Sequence, residues 1–269
     1  MNQALNRIHP DAKIGKNVVV ESFSTISADV VIGDDSWIGP NVTIMDGARI
    51  GKKCRIFPGA VIAGIPQDLK FRGEKTVAEI GDNTIIRECV TVNRGTAARG
   101  KTIVGSNSML MAYVHVAHDC HIGNHCILVN SVGLAGEVEV DDYAIIGGMT
   151  AVHQFCRIGT HSMVGGASKV KKDIPPYIRA SREPLQYVGV NTIGLRRRNF
   201  STESIYTIRD ILQVLYQKGL NTTQALEKIL DLFSQGEERD NIVDFVRGSS
   251  RGIIKGYDPD NGATDEDDF

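Results

Sequence analysis

Residues 20–62 read VESFSTISADVVIGDDSWIGPNVTIMDGARIGKKCRIFPGAVI, with an aliphatic side chain at Val20, Ile26, Ile32, Ile38, Ile44, Ile50, Ile56 and Ile62. Followed outward, this six-residue return runs from Ile8 to Val170. Of its 28 positions 25 are Ile, Leu or Val, and the exceptions are Asp68, Glu74 and Ala98. The residue four places on is small, as in Ala12, Val18, Ser24, Val30, Ser36, Val42, Ala48, Cys54 and Ala60. A period of six fits neither the 3.6 of an α-helix nor the alternation of an exposed strand. It fits a parallel β-helix in which each hexad supplies one short strand and one turn. The aliphatic and small positions then point into a narrow tube. The Gly that often follows the aliphatic residue (Gly15, Gly33, Gly39, Gly51, Gly123, Gly159) is expected to permit a turn with φ > 0. With three hexads per triangular coil, residues 18 apart stack in columns at the strand spacing of about 4.8 Å.

The 269 residues, 42% apolar, are enough for one large domain or two smaller ones. A net charge of −2 conceals an acidic end: Asp258, Asp260, Asp265, Glu266, Asp267 and Asp268 with no basic residue, read as a solvating, disordered tail. No apolar run is long enough to span a bilayer and residues 1–7 lack a signal-peptide core, so a cytoplasmic protein is expected. Cys54, Cys120, Cys126 and Cys156 occupy the small interior position, so no disulfides are expected.

The coil is expected over 1–175, with polar interruptions at 63–79 and 97–101. The first of these is a degenerate coil or a loop leaving a rigid scaffold, where binding residues tend to sit. Asp173-Ile174-Pro175-Pro176 ends the ladder, because proline cannot donate to it. A helical domain is expected over 176–255, with helices from Ser201 to about Gln217, from Thr223 to Phe233 and from Glu238 to Arg247. Their inward faces would be Ile205, Ile208, Ile211, Leu212 and Leu215; Ala225, Leu226, Ile229, Leu230 and Phe233; and Ile242, Val243, Phe245 and Val246. Residues 256–269 form the acidic tail.

None of the seven histidines falls on an interior position, and His115, His118, His121 and His125 lie within eleven residues. The column rule places Gly136 and Gln154 over His118, with His153 beside Gln154. A neutral imidazole is the natural general base at cellular pH. Asp119 can orient it, and a bare Gly136 can offer a backbone N–H to a developing oxyanion. A zinc site is the minor alternative, because His115, His118 and His121 run along a strand and turn and do not form a closed ligand set. Lys169, Lys171, Lys172, Arg179 and Arg182, then Arg196, Arg197 and Arg198, gather where coil meets helices and point to an anionic partner. Nucleic acid is not indicated, since few aromatics interleave with these charges.

Four longer motifs then carry a resemblance: His115-Val-Ala-His118-Asp119-Cys120-His-Ile-Gly-Asn124, Leu134-Ala-Gly136, Ile146-Gly-Gly-Met-Thr-Ala-Val-His153-Gln154-Phe155, and Asn191-Thr-Ile-Gly-Leu-Arg-Arg-Arg198. Together with Gly64-Ile-Pro-Gln-Asp68-Leu-Lys70, they resemble the UDP-N-acetylglucosamine O-acyltransferase family over roughly residues 5–255. The resemblance implies a mainly β protein, a left-handed parallel β-helix of hexapeptide repeats followed by a small helical domain, assembled as a homotrimer with sites between subunits. It implies transfer of an (R)-3-hydroxyacyl chain from acyl carrier protein to the sugar 3-hydroxyl, the first step of lipid A synthesis. His118 would be the base, Asp119 its support and Gly136 the oxyanion donor. Asp68, Lys70, His115, His153, Gln154, Asn191, Arg197 and Arg198 would bind substrate. No metal or cofactor is implied, since the 4′-phosphopantetheine arrives on the carrier.

Two positions depart from the family pattern. Glu137 stands where a histidine follows the oxyanion glycine, and Ile193 where an acidic residue follows the asparagine; neither removes base or oxyanion donor. The resemblance further implies that Gly166 stands at the position that closes the acyl groove, and with no side chain there a long chain of about fourteen carbons or more is expected. Three alternatives stand beside this expectation: the same fold acting on a 3-amino sugar nucleotide or a later glucosamine intermediate, an acetyl-CoA-dependent enzyme, and a non-catalytic scaffold.

Overall fold

A computed structural model describes residues 5–217 and 219–256, and the acidic run from Asp258 onward lies outside the described residues. From Arg7 to Val170 the chain winds through three parallel sheets, each coil giving each face one short strand. The first face contains His115–Val116, the second His121–Ile122 and the third Ile127–Leu128. Pairing is parallel at 18 residues, as in His115 with Gly133 and His121 with Glu139.

From Ile26 to Val170 the aliphatic hexad positions of the coil strands are buried, Ile44, Ile86, Val116 and Ile146 completely. Each such side chain contributes about 1.5–3 kcal/mol through removal from water. The small positions are interior too, and many carry a hydroxyl or thiol for a reason. Ser24 Oγ donates to the Gly39 carbonyl at 2.7 Å, Ser108 Oγ to Gly123 at 3.1 Å and Cys126 Sγ to Asp141 at 3.2 Å. Each satisfies a turn carbonyl of the next coil that the ladder leaves unpaired. All five cysteines are free.

The glycines that follow the aliphatic position are not where the backbone enters the left-handed region. That conformation falls two residues later, at Asn17, Asp35, Asn41, Lys53, Asn107, Asp119, His125, Glu137, Tyr143 and Phe155 among others. The glycines following the aliphatic position are required for close approach instead. A Cβ on Gly33 would lie 2.6 Å from the Gly51 carbonyl carbon, and one on Gly123 would lie 2.7 Å from the Asp142 nitrogen.

The two interruptions are loops at one corner. Residues 65–76 join Val61–Gly64 to Val77–Ile80, and residues 94–100 join Thr91–Asn93 to Lys101–Val104. Ile50 consequently pairs with Ile80 and Ile80 with Val104. The insertions thus add two hexads and one hexad, which is why the six-residue register survives them. The register exceptions Asp68, Glu74 and Ala98 lie inside these loops. Both leave between the first and second faces, the corner that also carries His118.

After Ile174 the third sheet continues through Ile178–Ser181 and an antiparallel return, Gln186–Val190, which the sequence did not signal. Among the described residues four helices follow: α1 (Thr192–Arg197), α2 (Thr202–Leu215), α3 (Thr222–Leu232) and α4 (Glu237–Arg247). Ser201 caps α2, accepting the Ser204 N–H at 3.0 Å, and an Asn221–Gln224 capping box opens α3. The buried residues of α2 and α4 are those expected. In α3, Leu230 is exposed and Phe233 only partly covered, because that helix packs through Ala225, Leu226 and Ile229. The helices sit on the last coils: Asn241 Nδ2 donates to Tyr177 Oη at 2.7 Å, and Ser249 Oγ to the fully buried Asp173 at 2.6 Å.

Candidate active site

The first-to-second corner positions a histidine–aspartate pair. His118 Nδ1 lies 2.8 Å from Asp119 Oδ2, with His118 8% exposed and Asp119 fully buried. Asp119 adopts φ 61°, a left-handed conformation that Asp tolerates, and this turns its carboxylate back toward the ring of its neighbour. Its oxygens also receive the Thr96 N–H at 3.0 and 3.1 Å, the Thr96 hydroxyl at 2.6 Å and the Arg99 N–H at 3.2 Å. Burial pushes the Asp119 carboxyl up, but the hydrogen bonds from Thr96 and His118 outweigh it, and the net direction is below the ordinary carboxylate range. A carboxylate only accepts, so Nδ1 carries the proton and Nε2 is left as the basic nitrogen.

The 18-residue column holds at this corner. Glu137 N–H donates to the His118 carbonyl at 3.0 Å and Phe155 N–H to the Gly136 carbonyl at 3.3 Å. A Cβ on Gly136 would lie 2.6 Å from His118 Cε1 and 2.7 Å from Nε2, so only glycine leaves room for the imidazole. At another corner the equivalent N–H groups of Lys16, Lys52 and Asn124 are capped by Asp34, Asp82 and Asp142. The Gly136 N–H meets no acceptor among the described residues.

Beside the pair opens a cleft of about 230 Å³, lined by Asp68, Lys70 and Glu74 of the first loop, Thr96 to Ala98 of the second, and Glu137, Gln154 and Phe155. Asp68 Oδ1 accepts the Lys70 N–H at 2.9 Å, and Gln154 Nε2 reaches Glu137 Oε1 at 3.5 Å. His153 is exposed, with Nδ1 3.1 Å from the Gln154 carbonyl. His115 lies on the first face with Nδ1 2.7 Å from Thr91 Oγ1, and burial lowers its affinity for a proton.

The remaining expected site residues sit at other corners of this chain. Asn191, buried, donates through Nδ2 to the His161 carbonyl at 2.9 Å and accepts the Gly194 N–H at 3.3 Å. Arg198 lies 4.9 Å over the Tyr143 ring, while Arg197 is exposed. Both belong to the second-to-third corner, where His125, Tyr143 and His161 stack at centroid spacings of 4.6 and 4.7 Å. Gly166 stacks on Gly148 at the third corner. His121 is on the second face, opposite Glu139, so the four clustered histidines point in different directions. Ile193 is 63% exposed. Thr96 and the aromatic ladder were not legible in the sequence: Thr96 lies 23 residues from Asp119, inside an insertion that breaks the column rule.

Lys169, Lys171 and Lys172 of the basic junction line a second cleft of about 300 Å³ with Glu183, Leu185, Ile254 and Lys255. No helix among the described residues is long and apolar enough to cross a membrane.

Comparison with known proteins gives consistent matches. The second-domain model of UDP-N-acetylglucosamine O-acyltransferase matches residues 173–254, and the bacterial transferase hexapeptide model matches 29–64 and 101–136. The chain is 44% identical over 201 residues to an acyl-carrier-protein-dependent UDP-N-acetylglucosamine O-acyltransferase of Burkholderia mallei, covering 73% of this chain and 77% of that one. It is similar to the crystal structure of the UDP-N-acetylglucosamine acyltransferase from Bacteroides fragilis, with TM-score 0.93, 55% identity and coverage of 95% and 100%. For the Francisella novicida acyltransferase the values are 0.92, 42%, 96% and 94%. The fold class is accordingly a left-handed parallel β-helix with a small helical part at its C-terminal end.

Proposed function

The chain belongs to the UDP-N-acetylglucosamine O-acyltransferase family, and on that premise we propose that it transfers an (R)-3-hydroxyacyl group from acyl carrier protein to the 3-hydroxyl of UDP-N-acetylglucosamine, opening lipid A synthesis in the cytoplasm. One observation carries the mechanism: a histidine held by a buried aspartate faces a bare glycine whose N–H meets no acceptor among the described residues. His118 Nε2 takes the proton of the sugar hydroxyl as its oxygen attacks the thioester carbonyl. The tetrahedral oxyanion is stabilised by the Gly136 N–H, an interaction typically worth about 10²–10³ in rate. The intermediate collapses, the C–S bond breaks, and the imidazolium returns its proton to the departing thiolate. Asp119 keeps the tautomer and stabilises the transient imidazolium. The chemistry drawn this way needs no metal or redox cofactor, because the 4′-phosphopantetheine comes with the carrier.

Asp68, Lys70, His115, His153 and Gln154 lie at or beside the His118 corner and would hold the sugar. Asn191, Arg197 and Arg198 belong to the second-to-third corner of the same chain, and Gly166 to the third-to-first. A homotrimer in which a neighbouring copy presents its second corner to the His118 cleft reconciles the two sets. The lysine-lined junction supports recruitment of an acidic carrier. The open Gly166 position supports a long acyl chain, about fourteen carbons or more.

The test is acyl transfer by the purified protein, using 3-hydroxyacyl carrier proteins of several lengths with UDP-N-acetylglucosamine or its 3-amino analogue. His118→Ala is expected to abolish transfer while leaving the assembly intact. Transfer to the amino sugar alone would reassign the acceptor, and undiminished transfer by the variant would remove His118 as base. Mixing inactive His118→Ala and Arg198→Ala chains should restore part of the activity if sites are shared between copies.

A further inference from the structure

The loop at 94–100 is directed at a single carboxylate. It contributes three donors to Asp119: the Thr96 N–H, the Thr96 hydroxyl on Oδ2 at 2.6 Å and the Arg99 N–H on Oδ1 at 3.2 Å. With His118 Nδ1 at 2.8 Å these occupy the roughly four lone-pair directions of a carboxylate. Thr96 is itself buried, and its hydroxyl accepts the Ala98 N–H at 3.1 Å, which aims the hydroxyl proton at Asp119. The loop is braced from outside, since Arg99 pairs with Glu139 at 2.8 Å, Glu139 with Arg157 at 3.3 Å, and Arg157 lies 4.5 Å over Phe245 of α4.

We propose that Thr96 is a positioning residue for acyl transfer: carried to the site by a one-hexad insertion, its hydroxyl fixes the Asp119 carboxylate in the orientation that holds His118 with Nε2 free. This rests on the assignment of His118 as base. Thr96 borders the cleft, but its hydroxyl is taken up by Asp119 and the Ala98 N–H, so its action runs through Asp119. The other titratable groups around the pair are Glu137, whose carboxylate accepts from Gln154 in the same column, Arg99 engaged by Glu139, the cleft residues Asp68, Lys70 and Glu74, and Cys120. Cys120 donates to the Ala135 carbonyl, and burial pushes its thiol up to about 12, so it stays neutral throughout the working range.

The experiment compares Thr96→Val and Thr96→Ser with the full-length wild-type chain in the carrier-protein assay, recording kcat, both KM values and the pH profile of kcat/KM. Removing the hydroxyl should lower kcat roughly tenfold, the size of one hydrogen bond to a charged group, with both KM values little changed. The acid limb should move to higher pH, because a carboxylate that has lost a donor is a stronger acceptor and holds the imidazolium proton more firmly. Thr96→Ser should restore kcat and profile together. If Thr96→Val does not fold, Thr96→Ala carries the same expectation. A Val profile that superimposes on wild type, or a Ser variant as impaired as Val, overturns the proposal. His118→Ala separates the two levels: an active His118→Ala chain removes the base assignment and this inference with it. An inactive one beside an unshifted Thr96→Val profile removes this inference alone.

Discussion

Gly136→Ala is the substitution that the geometry judges most sharply. The backbone at Gly136 is outside the left-handed region, so alanine is conformationally acceptable, and the cost falls on the neighbour. The new Cβ would lie 2.6 Å from His118 Cε1 and 2.7 Å from Nε2. Ordinary carbon contacts sit at about 3.5–4.0 Å, so the ring must retreat by about 1 Å. It cannot do so freely, because Nδ1 is tied to Asp119 at 2.8 Å and Asp119 is locked by the 94–100 loop. A displacement of about 1 Å at a reacting group costs on the order of 10²-fold in rate, or about 2.7 kcal/mol of transition-state stabilisation. Steady-state acyl transfer should therefore show kcat reduced by about that factor, with carrier and sugar KM values nearly unchanged and secondary structure intact. A second assay isolates the cause. In a His118→Ala background there is no ring to displace, so the loss of stability that Gly136→Ala causes in urea denaturation should largely disappear. A Gly136→Ala chain with wild-type kcat, or a stability penalty that persists in full without His118, would refute the steric argument.

Three further outcomes are expected. Gly166→Met should shift donor preference toward shorter acyl chains, since even its Cβ would stand 3.2 Å from the Gly148 carbonyl; an unchanged chain-length profile would sink the ruler assignment. His161 is held at about 4 by burial, with the Arg198 guanidinium adding to it. The unfolded chain takes up this proton near pH 6.5, so the stability from neutral His161 is complete above that value and lost as pH falls from about 6.5 to 4. Urea midpoints across that window should fall less in His161→Phe, which keeps a ring in the stack, and parallel curves would contradict the assignment. Ile146→Ala empties a fully buried tube position and should lower stability by about 2–5 kcal/mol without altering KM, as read from chemical denaturation and initial rates.

The hexad was legible because a β-helix core is a local code. Every sixth side chain faces the same axis whatever the rest of the chain does, so Ile26 to Val170 identify themselves as interior without reference to distant partners. The same regularity puts His118, Gly136 and Gln154 in one column. It also led to an error of detail: glycine was expected to supply the positive φ, whereas Asn17, Asp35 and Asp119 adopt it and Gly33 is required for a 2.6 Å approach of successive turns. Backbone clearance depends on the neighbouring coil, and a single hexad does not display it.

The insertions mark where local information ends. Asp68, Glu74 and Ala98 break the pattern in the sequence, yet nothing in the pattern says that both loops leave by the same corner or that one reaches Asp119. Thr96 finds its carboxylate across 23 residues because the coil brings Asn93 and Val116 into adjacent strands. Asn191 and Arg198 fall at a second corner because α1 docks beside His161 and Tyr143, a contact between elements with no shared period. The sequence by itself determined the repeating coil, its filling and the stacking of His118, Gly136 and Gln154 in one column, since these follow from periodicity along one strand of chain. Only the tertiary structure decided which loops lock the aspartate and which corner each binding residue occupies, because those depend on packing between segments whose spacing carries no repeat.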